Sequence, residues 1–158
     1  MRKPDSLRRW LTAALPDLRI HPDRLEIWVD AGRIASRQSQ TLSFEYRYTL
    51  KCGIWSFAGT ADQIMVPLLA WLEKEQPQLL RKADSEPFSF EAELLDSDTS
   101  DVLISLELTE AVIVTPSQHA SGFDITHPPE PDYGHAYDGI AARFADLTIG
   151  GAPATGEE

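Results

Sequence analysis

Hydrophobic positions recur along this chain at two spacings, and the spacings divide it into helices and strands. Leu7, Trp10, Leu11, Ala14 and Leu15 fall at helical intervals, so residues 5–15 are expected to form a helix that Asp5 or Ser6 can cap and Pro16 ends. Leu25, Ile27 and Val29 alternate with polar positions and predict a strand over 25–29, followed by a turn at Asp30-Ala31-Gly32 and a return or extension from Ile34. The stretch LSFEYRYTLKCGIWSF, residues 42–57, is the most regular of all. Leu42, Phe44, Tyr46, Tyr48, Leu50, Cys52 and Ile54 occupy one side, and Ser43, Glu45, Arg47, Thr49, Lys51 and Gly53 the other. Most strands have about 5–6 residues, so this one is expected to be about twice the usual length.

The period changes again after Gly59. Thr60 with Gln63 fits a capping box, and Ile64, Leu68, Leu69, Trp71 and Leu72 make a broad apolar face, so a helix kinked at Pro67 and ending before Pro77 is expected. Phe88, Phe90, Ala92 and Leu94 then define one face of a strand, and Val102, Ile104, Leu106 and Leu108 one face of the next. The polar residues 96–101 join them as a hairpin, and a further short strand is expected at 112–114. Beyond Thr115 the alternation stops. Residues 1–115 read as a single domain and 116–158 as an arm or partly disordered tail, with a short helix possible over 140–147. Helix, strand, strand, helix, strand, strand is an α+β order: a mostly antiparallel sheet with helices packed on one face and a long hairpin strand.

Composition adds little to this frame, but charge does. The chain has 158 residues, 42% of them hydrophobic and 25% charged, in keeping with one ordinary globular domain. Its single cysteine cannot form an internal disulfide, and no apolar run approaches the roughly 20 residues of a membrane span, so no membrane partner is expected. The net charge of −11 is unevenly spread. Residues 1–20 carry five basic and two acidic residues, whereas 116–158 carry seven acidic residues and only Arg143. This polarity argues against a nucleic-acid partner, which needs a continuous basic surface; it permits head-to-tail contacts between copies, although a solvated acidic tail is the better reading.

Candidate chemistry is sparse. The nucleophile-elbow, zinc-protease, phosphate-loop and dinucleotide motifs are all missing, so no catalytic residues, no cofactor and no enzymatic activity are expected. In DSDTSD, Asp96, Asp98 and Ser100 alternate as calcium-loop ligands do, with Glu107 twelfth. The sixth position, however, is Asp101 rather than glycine, so an acidic hairpin loop is the better reading. His119, His127 and His135 are too widely spaced for a usual zinc site, and no metal is expected. Cys52 lies on the apolar side of its strand and reads as a small buried hydrophobe. Trp28, Trp55 and Phe57 fall on the polar-phase sides of their strands, where large aromatics are either covered by a second layer or left for a partner.

In order along the chain, PDSLRRWLTAALPDL, RLEIWVDAGRI, LSFEYRYTL, DQIMVPLLAWLEKEQPQLL and LTEAVIVTP resemble the tail completion protein R (GpR) family of contractile-tailed bacteriophages and related prophages. The segments spread over roughly residues 4–116, and ITHPPEP at 125–131 also resembles the family, whereas 132–158 runs longer and richer in glycine and alanine. The resemblance implies a tail-terminator-like structural protein at the head-proximal end of the virion tail, made in the host cytoplasm. Its implied partners are tail tube and sheath proteins, a head-completion or connector protein, and further copies of itself in a ring, a hexamer matching the tail. A dissociable tail-assembly chaperone is the alternative. The resemblance supplies no catalytic residues. In a ring each copy must present two different surfaces, and Arg47 and Lys51, on the polar side of the long strand, are expected near a copy or tube interface.

Overall fold

The computed structural model describes residues 1–119 and 121–133, and beyond them only the backbone of two short strands, Thr148–Ile149 and Ala152–Pro153, which pair with each other. The helix expected over 140–147 lies outside the described residues. The main sheet is antiparallel and has five strands: β1 (Leu25–Ser36), β2 (Phe44–Phe57), β3 (Ser89–Leu94), β4 (Ser100–Pro116) and β5 (Phe123–Thr126). Their order in space is β1-β2-β4-β3, with β5 paired to the far end of β4. Three helices, α1 (Lys3–Ala14), α2 (Pro16–Ile20) and α3 (Ala61–Glu75), cover one face, so the architecture is α+β as the pattern predicts.

The core lies between the helices and that face. Tyr48, Leu50, Cys52 and Ile54 of β2 and Val102, Ile104, Leu106 and Leu108 of β4 turn inward against Leu7, Leu11, Leu18, Ile64, Leu68, Trp71 and Leu72. These are the apolar phases read from the sequence. Burial pushes the Cys52 thiol up to about 12, so it behaves as a hydrophobe. The neutral thiol's contribution to stability is complete below the ordinary value of 9.0 and is lost as pH climbs from there to about 12.

Five details differ from the sequence expectations, each for a local reason. Asp30-Ala31-Gly32 is not a turn. Val29 pairs with Leu50 and Ala31 with Thr49, so Asp30 is the extra residue of a β-bulge and β1 runs on to Ser36. A second bulge sits in β2, where Ile54 pairs with Val102 and Phe57 with Ser100. Ser56 there takes a positive φ of 50°, and its N–H donates to Asp101 Oδ1 at 2.7 Å. The inserted residue reverses the phase, so Phe57, expected on the polar side, is buried in the core. The segment 112–114 is the continuation of β4, not a separate strand. Helix α1 begins at Lys3 rather than Asp5, with Pro4 in its first turn, where a missing N–H is harmless, and Pro16 opens α2 as well as closing α1. Finally, β3 has the expected alternation, yet all six of its residues are exposed because the helices stop short of that edge.

The arm expected after Thr115 carries strand β5, whereas the cap of α3 and the acidic hairpin loop are as expected. Helix α3 carries the Thr60/Gln63 capping box and continues through Pro67. The β3–β4 loop is an Asx turn in which Asp96 accepts from the N–H groups of Asp98 and Thr99 at 2.8 and 2.7 Å. Those bonds hold the Asp96 carboxyl below its ordinary range.

Candidate functional site

Two surfaces gather the side chains that composition and phase single out. The first is the open face of the sheet, opposite the helices. Trp28 lies directly across from Lys51, and Arg47, four residues before Lys51 on β2, lies across from Arg33. Lys51 Nζ donates to Ser105 Oγ on β4 at 2.7 Å, and Arg47 Nε pairs with Glu45 Oε1 at 2.7 Å. Both Arg47 and Glu45 are well exposed, so their pair contributes little to stability and leaves the guanidinium available. Trp28 is 39% exposed, and Trp55 is half-buried on the same face. The structure therefore places Trp28, Arg47, Lys51 and Trp55 along one face of the sheet, and it withdraws Phe57.

Gly53 explains why Trp55 lies flat. A Cβ built on Gly53 would come within 2.3 Å of Trp55 Cζ2, so the indole rests where a side chain would otherwise stand, at the middle of the sheet between Glu26 of β1 and Leu103 of β4. Gly53→Ala is expected to swing the indole into solvent, red-shift its fluorescence and cost about 1 kcal/mol. An unshifted emission maximum in that variant would mean the close approach is relieved elsewhere.

The second surface, which the sequence reading missed, is a cleft of about 440 Å³ at the start of α1, lined by residues of α1, α3, β4 and the segment after β5. Glu110 lies on the inward phase of β4 and is only 5% exposed. Its carboxylate accepts from the backbone N–H of Arg2 at 2.6 Å, that of Lys3 at 3.2 Å, and the Tyr48 hydroxyl. In this way Glu110 caps α1 from another strand, replacing the side-chain cap that Arg2 does not supply. Burial, reinforced by the hydrogen bond to Glu110, raises the Tyr48 phenol far above its ordinary value.

Lys3 is buried beside it and donates its three ammonium hydrogens to Gln76 Oε1 at 2.6 Å, Thr109 O at 2.7 Å and Glu130 Oε1 at 2.7 Å. Gln78 also donates to Glu130, and the Arg81 guanidinium carbon sits 3.5 Å from the centre of the Tyr133 ring. Residues 127–133, which the sequence assigns to an arm, are thereby strapped back over the domain. The one sequence signal for this cluster is the acid at 110, which interrupts the apolar alternation from Val102 to Val114.

Among the described residues, no group of three His, Cys, Asp or Glu side chains is placed to hold a metal ion, and no helix is long and apolar enough to cross a membrane. The family model described as P2 phage tail completion protein R (GpR) matches residues 1–131. Among curated proteins, the chain is 42% identical over 136 residues to Tail completion protein R of Escherichia phage P2, covering 83% of this chain and 88% of that one. No solved structure matches. A match over so much of both chains is decisive: this chain belongs to the P2 phage tail completion protein R (GpR) family.

Proposed function

We propose that the protein completes a contractile phage tail at its head-proximal end, as a structural subunit that makes the tail competent to join the head. The observation that carries this reading is the family match over residues 1–131, which spans the sheet, the three helices and the strap up to Pro131. Several copies form a ring, a hexamer matching the tail's symmetry. They meet the tube and sheath on one side and the head connector on the other. The open sheet face bearing Trp28, Arg47, Lys51 and Trp55 suits such a role, because half-exposed aromatics beside available cations are common at interfaces. The protein is a virion component assembled in the host cytoplasm.

The test is to delete the gene from its phage or prophage, induce, and image the particles by negative-stain electron microscopy. Unjoined heads beside tails with irregular upper ends are expected, and normal infectious virions would overturn the proposal. Immunoblotting of purified tails separates a retained subunit from a dissociable assembly chaperone, which would be missing from them. Complementing the deletion with Arg47→Glu/Lys51→Glu is expected to reproduce the defect with a folded protein. Wild-type titres from that variant would remove these two side chains from the interface.

A further inference from the structure

The two ends of the sheet carry matching patterns. Its outermost strands are β1 and β3, and both leave one backbone edge without a strand partner among the described residues. Past the bulge at Asp30, β1 offers Ala31, Arg33 and Ala35 on the open face and Gly32, Ile34 and Ser36 on the helix-covered face. On β3, Ser89, Glu91 and Glu93 share the open face, whereas Phe90, Ala92 and Leu94 share the helix-covered face. Ile34 is 58% exposed, Phe90 54% and Leu94 82%, so each edge carries uncovered apolar side chains on the same face of the sheet.

Each edge also stacks like charges. Arg33 stands directly across from Arg47, and Glu93 directly across from Asp101. Opposed like charges in a sheet are destabilising, and a counter-charge from outside relieves them. Glu45 answers Arg47, but among the described residues no carboxylate pairs with Arg33 and no cation with Glu91 or Glu93.

We propose that β1 of one copy pairs with β3 of the next, so that the sheet continues from subunit to subunit; this rests on the ring reading above and names the contact that closes it. The direction follows from topology. Each strand is antiparallel to its neighbour in the order β1-β2-β4-β3, so β1 and β3 run oppositely, and a rotation about an axis inclined to the strands brings them together antiparallel, offset by the six residues of β2 that separate the level of Arg33 from that of Glu91. With Arg33 opposite Glu91, Ile34 meets Phe90, Gly32 meets Ala92, and Glu93 lies diagonal to Arg33. Charges meet charges on the open face and apolar groups meet apolar groups on the covered one. The same charges oppose the alternative of a two-fold dimer through β3, which would set glutamates against glutamates.

The test uses tails purified from the deletion phage complemented with the full chain carrying Ala35→Cys and Ser89→Cys. Within one copy these positions lie on opposite edges of the sheet, three strand spacings (about 14 Å) apart across it and six residues apart along it, too far for a disulfide. Native Cys52 is buried and does not compete. Mild oxidation is expected to give a ladder of covalently joined copies on non-reducing gels. Arg33→Glu and Glu91→Arg are each expected to weaken copy–copy association by about tenfold or more, and the double reversal to restore it. Circular dichroism of the single variants should be native, since both side chains are exposed. A ring visible at the tail end with no ladder and no reciprocal rescue would overturn the β1–β3 contact and leave the ring standing. One copy per tail would overturn the ring, and the contact with it.

Discussion

Replacing Glu110 with alanine is expected to destabilise the fold by about 3–5 kcal/mol, the usual cost of removing the partner of buried charged and polar groups. The substitution strands the N–H groups of Arg2 and Lys3 and the Tyr48 hydroxyl, three donors that converge on one carboxylate. It also leaves a hole beneath the first turn of α1. At about 3 °C per kcal/mol for a chain of this size, the melting temperature should fall by roughly 10 °C. Glu110→Gln keeps the shape but exchanges one acceptor for a donor, so its loss should be intermediate. Tyr48→Phe removes one hydrogen bond and should cost about 1 kcal/mol. Urea denaturation of the three variants gives the ranking. A Glu110→Ala protein within 1 kcal/mol of the parent would mean that water replaces the carboxylate and the cap is dispensable.

Trp71→Ala is expected to be as severe, about 3–5 kcal/mol. Trp71 is completely buried, is among the largest side chains of the core, and donates its indole N–H to Ser6 Oγ at 3.1 Å. Ser6 in turn donates to Glu75 at 2.9 Å, so truncating the indole empties the core between α1 and α3 and removes one of their polar links. Trp71→Phe retains most of the packing and should recover more than half of the loss. Whole domains have only about 5–15 kcal/mol of stability, so the Trp71→Ala/Glu110→Ala double variant should be largely unfolded at 25 °C. A cooperative, native-like melt from that double variant would show that α1 is held mainly by other contacts.

The sheet was legible in the sequence because β2 and β4 carry long uninterrupted alternations, and a period of two has few other readings. The bulges were harder, although both leave a trace. Inward residues fall at odd numbers through Val29 and at even numbers by Ile34, a change of phase that fits an inserted residue as well as it fits a turn. Ile54 and Phe57 show the same jump across Ser56, and reading Phe57 as out of phase followed from counting straight through it. The open-face group of Trp28, Arg47, Lys51 and Trp55 was readable from phase alone. The cleft at Glu110 was not. Its members come from positions 2, 3, 48, 76, 110 and 130, and nothing local in a sequence says that a helix start will be capped by a strand more than a hundred residues later.

Strand β4 sits between β2 and β3, pairs with β5, and carries the acceptor for the first amides of α1. This arrangement sets a schedule for biosynthesis. The β1–β2 hairpin and α3 can form as soon as they leave the ribosome, but their apolar faces have no completed sheet to close on until residues 100–116 follow. Domains dominated by such late, long-range pairings fold slowly and expose sticky intermediates meanwhile. A nascent chain thus acquires its β3 edge and its closed core in one step near the end of translation, and a fragment truncated before β4 should be cleared by proteases.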